Sequence, residues 1–340
     1  MQFVSVRGMA RWISATGPEA VIAGMVDALE GNLRRWPQFH LTPRLATHSR
    51  VGVIELMPTT DGEQYAFKYV NGHPGNPAHG LQTVTAFGVL ADVYTGYPTF
   101  LAEMTLLTAL RTAATSALAA RWLAPRGAEV MGMVGAGSQA EFQALGVRSQ
   151  LGVRRLRVFD VDPAASAKLA RNLVPLGFEV QVCGSAAQAA RGAQVVTTCT
   201  ADKQNATVLR LEDLTPGVHV NAIGGDCPGK TELDARILDH ADVFVEHAPQ
   251  TRIEGEIQNR PADFPVTELW EVVRGDRPGR THPARTTVFD SVGFAVEDFT
   301  ALTYVRDAVR GTPFAEDIDL VAGPDDPKDL FGVLGAPVPA

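Results

Sequence analysis

One stretch, Asn221-Ala-Ile-Gly-Gly-Asp-Cys-Pro-Gly-Lys-Thr231, fits two incompatible chemistries. Residues 224–231 satisfy G-x-x-x-x-G-K-[ST], the pattern of a loop that cradles nucleotide phosphates. Such a cradle is built from consecutive backbone N–H groups, and Pro228 has none. Asp226 would also set a carboxylate beside the phosphates that the loop must attract. A carboxylate in a Gly-rich turn at the carboxyl end of a strand is better suited to acid/base work facing a bound cofactor. Asp226 is therefore the expected catalytic group.

A different nucleotide signature lies earlier. The apolar run Val130-Met-Gly-Met-Val134 leads into Gly135-Ala-Gly-Ser-Gln-Ala140 and a helical run from Glu141 to Gln150. Gly135 permits the tight turn, Gly137 lets the backbone approach a pyrophosphate, and Ala140 allows close helix–strand packing. A second strand, Leu156–Phe159, ends in Asp160, about twenty residues past the glycines, where a carboxylate takes ribose hydroxyls. No Arg or Lys follows in Val161-Asp162-Pro163 to hold a 2′-phosphate, so NAD(H) is expected over NADP(H). Lys68 and Glu55 are charges inside otherwise apolar strands, where an unpaired charge is costly. Cys183, Cys199 and Cys227 have no C-x-x-C spacing, so neither a disulfide framework nor a metal site is suggested.

The elements that must position these groups fall into two patterns. From about residue 113, short Val-rich strands alternate with helices, at 130–134, 155–159, 179–183, 194–199, 218–223 and 242–246, with a last one at 287–290. Their nearly continuous hydrophobicity is that of strands buried on both faces, which predicts a Rossmann-type, doubly wound parallel sheet. Helices are expected at 164–173, 231–238 and 296–310. Residues 1–112 read instead as an α+β substrate and dimerisation domain. It has a helix at 18–35, strands at 44–48, 51–57, 65–70 and 83–92, and a helix at 101–123 that leads into the nucleotide domain, 113–316. The tail, 317–340, is expected to return to the first domain. A net charge of −8 disfavours nucleic acid and anionic membranes as partners. No apolar run approaches membrane-spanning length, and a cytoplasmic location is expected.

These segments together resemble the ornithine cyclodeaminase/mu-crystallin family, bacterial members above all. The matching text includes Gly52-Val-Ile-Glu-Leu-Met-Pro58, Phe67-Lys-Tyr-Val-Asn-Gly-His-Pro74, residues 80–90 and 103–115, Gly224–Glu232, Pro249–Glu256 and Asp290-Ser-Val-Gly-Phe294. The resemblance implies NAD-dependent conversion of L-ornithine to L-proline and ammonia. Hydride leaves the α-carbon, the δ-amine attacks the resulting imine, ammonia departs and the cyclic imine is reduced again. It implies a carboxylate site at Arg44, Lys68 and Arg111, an anion for the distal amine at Glu55, and substrate contact at Val292. Asp226 would deprotonate the α-ammonium and later assist ammonia loss. For the cofactor it adds Thr83, Arg111, Thr112, Ser138, Gln139, Thr200, Ala201, Lys230 and Ser291 to Gly135, Gly137 and Asp160. A homodimer is implied as well. The competing readings are surface charge for the three cations, an internal salt bridge for Glu55, and a turn or packing role for His73. Lysine cyclodeamination, ketimine reduction and amino-acid dehydrogenation are the neighbouring reactions; a non-catalytic binder would have no need of a general base.

Overall fold

The computed structural model describes residues 1–201, 206–225 and 227–335 of the chain. Two eight-stranded sheets organise it. In the first, Glu316–Asp317, Gln2–Val4, Pro98–Glu103, Ala86–Asp92, Gln64–Gly72, Val53–Thr60 and His40–Leu41 lie side by side, and Leu45–His48 also pairs with Val53–Thr60. All pairs are antiparallel except Gln2–Val4 with Pro98–Glu103. Strand alternation sends Met57, Lys68 and Gly88, which are in register, to the face covered by the Ala295–Val309 helix. Gly88 lets the helix pack close, since a Cβ there would press on Met104 Sδ and lie 3.0 Å from Leu302 Cδ1.

The second sheet runs Glu179–Val182, Arg155–Phe159, Val130–Val134, Val195–Thr198, His219–Ala222, Thr286–Asp290, Ala241–Val245 and Thr267–Glu268, with every pair parallel. This is the doubly wound sheet expected from the sequence. Its order reverses between Val130–Val134 and Val195–Thr198, which opens a crevice at their carboxyl ends. The flanking helices carry ordinary start signals. Pro163–Leu173 begins with Pro at its first position, and Asp162 accepts from Ala164 N–H at 2.9 Å.

Several boundaries differ from expectation for identifiable reasons. Leu101–Glu103 is strand rather than helix: it pairs with Phe87–Val89, and the Thr105–Leu123 helix starts only after Glu103 accepts Leu106 N–H at 2.9 Å. Sheet pairing here overrides helix propensity. The expected 231–238 helix shrinks to Ala235–Asp239, because the N–H groups of Glu232 and Leu233 are bonded to the Glu256 carboxylate at 2.7 and 3.0 Å. Thr83 precedes its strand, which begins at Ala86. The Val6–Thr16 helix was not anticipated, although Ser5 caps it and Met9, Trp12 and Ile13 form its buried stripe. The chain is back on the first sheet already at Ala295–Val309, ahead of residue 317.

Candidate active site

Of the three expected cations Lys68 and Arg111 are buried and Arg44 is half-buried, and they are gathered together. Lys68 is 1% exposed in the inward row of the Gln64–Gly72 strand, and its Nζ donates to Asp298 Oδ1 at 2.8 Å. Arg111, on the Thr105–Leu123 helix, donates from Nε to the same oxygen at 3.1 Å and from Nη1 to Glu297 Oε2 at 2.9 Å. Arg44 donates from Nη1 to both oxygens of Glu55, at 3.2 and 3.3 Å, and its Nε lies 3.3 Å from Glu254 Oε2. Its Nη2 donates to the carbonyls of Val292 and Gly293 at 2.9 and 2.7 Å. The surface-charge reading of these residues is thus overturned. For Glu55 the structure shows the internal salt bridge, with Arg44 as its partner.

Burial sets the electrostatics. It pulls the Lys68 ammonium down to about 8, with the charge of Arg111 acting in the same direction. It pushes Glu297 up to about 8 against the pull of Arg111. Glu246 is also raised by burial, although Ser291 Oγ and the N–H groups of Val292 and Gly293 all donate to it. Asp298 Oδ2 and Glu297 Oε1 are buried without a hydrogen-bond partner among the described residues. Buried polar atoms are nearly always satisfied, so these mark a place where a further donor fits.

Gly135, Gly137, Ser138, Gln139, Asp160, Thr200, Ala201 and Ser291 follow the carboxyl ends of parallel strands, whereas Thr83 stands in a loop of the first sheet and Thr112 on the Thr105–Leu123 helix. Gly135 has φ +98°, and a Cβ there would meet Cys199 O at 2.7 Å, so only glycine fits. Gly137 faces open space, which leaves its backbone approachable. Asp160 accepts Ala136 N–H at 2.6 Å and Asp162 N–H at 2.8 Å, which fixes its carboxylate beside the glycine loop. Ser138 is exposed, and Gln139 is half-buried with an unpartnered Oε1. Across the crevice, Lys230 Nζ donates to Thr200 O at 2.9 Å, and Thr200 N–H and Oγ donate to Glu232 Oε1. Ala201 is exposed beside them, Thr112 is half-buried next to Arg111, and Thr83 O accepts His73 N–H at 2.8 Å. Ser291 and Val292 are buried in the turn after Thr286–Asp290. Asp226 lies outside the described residues. The glycines before it are seated on carboxylates: a Cβ on Gly225 would meet Glu256 Oε1 at 2.7 Å.

Glu256 accepts the N–H groups of Glu232 and Leu233, and burial raises it to about 7. Asp290 accepts those of Glu256 and Ile257 at 2.9 and 3.0 Å, and burial raises it well above the carboxylate range. Sequence reasoning missed Glu246, Glu297 and Asp298 as site residues. The available signal was an acid closing an apolar strand (Val243-Phe-Val-Glu246) and an acidic pair opening an apolar helix. His73 is a packing residue, its ring covering Gly52 and its Nδ1 2.9 Å from Asn71 Nδ2.

The parallel sheet, its glycine loop and Asp160 define a protein of the dinucleotide-binding α/β class. The chain belongs to the ornithine cyclodeaminase/mu-crystallin family, whose profile matches residues 7–313. An ornithine cyclodeaminase of Brucella suis biovar 1 (strain 1330) is 56% identical over 332 residues, spanning 98% of this chain and 93% of that protein. The solved structure of a lysine cyclodeaminase, described as recognising L-lysine, L-ornithine and L-2,4-diaminobutyric acid, superposes with a TM-score of 0.86 at 33% identity, over 91% of this chain and 92% of that one. An archaeal alanine dehydrogenase dimer with bound NAD superposes with a TM-score of 0.83 at 29% identity, over 91% and 97%.

Proposed function

We propose that this protein is an NAD-dependent ornithine cyclodeaminase, forming L-proline and ammonia from L-ornithine. The observation that carries the reading is the joining of Arg44, Lys68 and Arg111 into one buried cluster in a chain 56% identical to an ornithine cyclodeaminase. Lys68 offers the substrate carboxylate a point charge and Arg111 the rest of its guanidinium edge, while Arg44 joins them by exchanging one of its bonds to Glu55. Asp226 takes a proton from the α-ammonium and returns it to the departing ammonia. Glu55, already held by Arg44, receives the distal ammonium and accepts the proton that frees the amine to attack.

The glycine loop, with Gly135 and Gly137, would hold the pyrophosphate of NAD. Ser138 and Gln139 stand at the helix N-terminus, Asp160 takes the ribose, and Thr83, Thr112, Thr200, Ala201, Lys230 and Ser291 enclose the rest. The open side of Gly137 and the fixed Asp160 carboxylate fit such a group. When bound, NAD supplies the acceptor for the α-carbon hydride and gives it back at the end, so it is recycled. A 2′-phosphate would face Asp160, which favours NAD over NADP.

The division into a substrate domain and a nucleotide domain, and a homodimeric assembly, belong to the same proposal. The outer face of the first sheet supports the dimer, with exposed Leu45, Leu56 and Phe87 in one register row with Tyr69, whose ring stacks on Phe87 at 5.2 Å. A cytoplasmic location is proposed on a cysteine spacing that suggests no disulfide framework. The test is incubation of purified protein with L-ornithine and NAD⁺ far below stoichiometry, with L-lysine in parallel. Proline and ammonia should form with ornithine; NADH accumulating in step with substrate loss would mean a plain dehydrogenase.

A further inference from the structure

The buried carboxylate of Glu246 closes the Ala241–Val245 strand and receives three donors from a single turn. Ser291 Oγ and Gly293 N–H donate to Oε1, at 2.5 and 3.1 Å, and Val292 N–H donates to Oε2 at 3.2 Å. The same turn presents its carbonyls the other way. Val292 O and Gly293 O accept from Arg44 Nη2, and Gly293 O also accepts from Gln250 Nε2 at 2.8 Å. Val292 O and Gly293 N–H belong to one peptide plane, so that plane joins the Glu246 anion at one end to the Arg44 cation at the other. Both hydrogen bonds are charge-assisted, and each polarises the peptide in favour of the other. Rotating the plane would break both. Gly293 has φ +75°, and a Cβ there would lie 2.7 Å from Arg111 Nη1, so the turn also abuts the second guanidinium.

We propose that Glu246 is a positioning residue for substrate-carboxylate binding, acting through the 291–293 turn on Arg44. The inference rests on Arg44 binding the substrate. Glu246→Gln keeps the shape but offers one acceptor oxygen where the carboxylate has two. The N–H of Val292 or Gly293 then faces an amide nitrogen; the 292–293 plane is released in the second case, and in both its bond loses the assistance of the charge. The KM for L-ornithine should rise about tenfold, the value of one charge-assisted hydrogen bond, while NAD⁺ affinity and kcat change by less than about threefold.

The decisive measurement is a double-mutant cycle with Arg44→Lys, which keeps the charge and loses the fork. If Glu246 acts through Arg44, Glu246→Gln should cost less than about twofold in kcat/KM in the Arg44→Lys background. Losses that multiply, with Arg44→Lys itself damaging, leave Arg44 in the site and overturn the positioning role. An Arg44→Lys enzyme as efficient as the parent removes Arg44 from the site and takes this proposal with it. Should Glu246→Gln fail to fold, Glu246→Asp, which withdraws the anion by one methylene, is read in the same cycle by the same criteria.

Discussion

Raising the pH from 7 to 9 should release a bound carboxylate far more steeply than one titrating group allows. Lys68 is held down to about 8 by burial and by Arg111, and Glu297 is held up to about 8 by burial. As pH rises through that value, the cluster loses a positive charge at Lys68 and gains a negative one at Glu297. Both changes oppose an anionic ligand. If the ligand needs Lys68 charged and Glu297 neutral, affinity scales inversely with the square of 1 + 10^(pH − 8). Between pH 7 and pH 9 that is roughly a hundredfold loss, against roughly tenfold for one group alone. The assay is calorimetric titration of the NAD⁺-loaded protein with valerate, a carboxylate with no amine of its own to titrate. Above pH 8 the heats should also report proton uptake, because the ligand restores the charge on Lys68. Lys68→Arg should reduce the two-proton slope to one. Affinity constant within about twofold across this range would refute the argument that these two groups face the ligand.

Two substitutions address the chemistry itself. Asp226→Asn should leave NAD⁺ affinity intact and lower turnover by roughly 10²–10⁴-fold, the usual contribution of a general acid/base; turnover preserved within about threefold would remove Asp226 from that role. Glu55→Gln should lower kcat/KM for L-ornithine by roughly ten- to a hundredfold. The loss it shares with L-norvaline, followed as cofactor reduction, measures the support that Glu55 gives Arg44. The excess for ornithine measures the distal ammonium, and equal losses would assign Glu55 to Arg44 alone.

The parts of this molecule that were legible in its sequence are those whose signals are local. Strands buried on both faces betray themselves by unbroken hydrophobicity, and a strand–glycine–helix passage has few other uses. Lys68 stood out because an ammonium inside an apolar strand demands a partner. The partner was invisible: Asp298 lies 230 positions away, on a helix whose place is set by packing over the first sheet. Glu246 reads as an ordinary strand end until the 291–293 turn is laid across it. The misplaced boundaries have the same origin, since Leu101–Glu103 is strand only because distant strands flank it, and Glu232–Leu233 is extended because Glu256 claims its N–H groups.

The path of the chain between its two sheets has a mechanical consequence. The chain crosses twice: once along Thr105–Leu123, which bears Arg111, and once through residues 291–293, which anchor Arg44 and open into the helix bearing Glu297 and Asp298. Both crossings run through the proposed substrate cluster, beside the hydrophobic core that the two sheets share. A ligand that bridges Arg44, Lys68 and Arg111 ties one crossing to the other, and any tilt of one sheet against the other must strain those bonds. If binding shifts the angle between the sheets, then by reciprocity a substitution that shifts the angle shifts affinity for the amino acid.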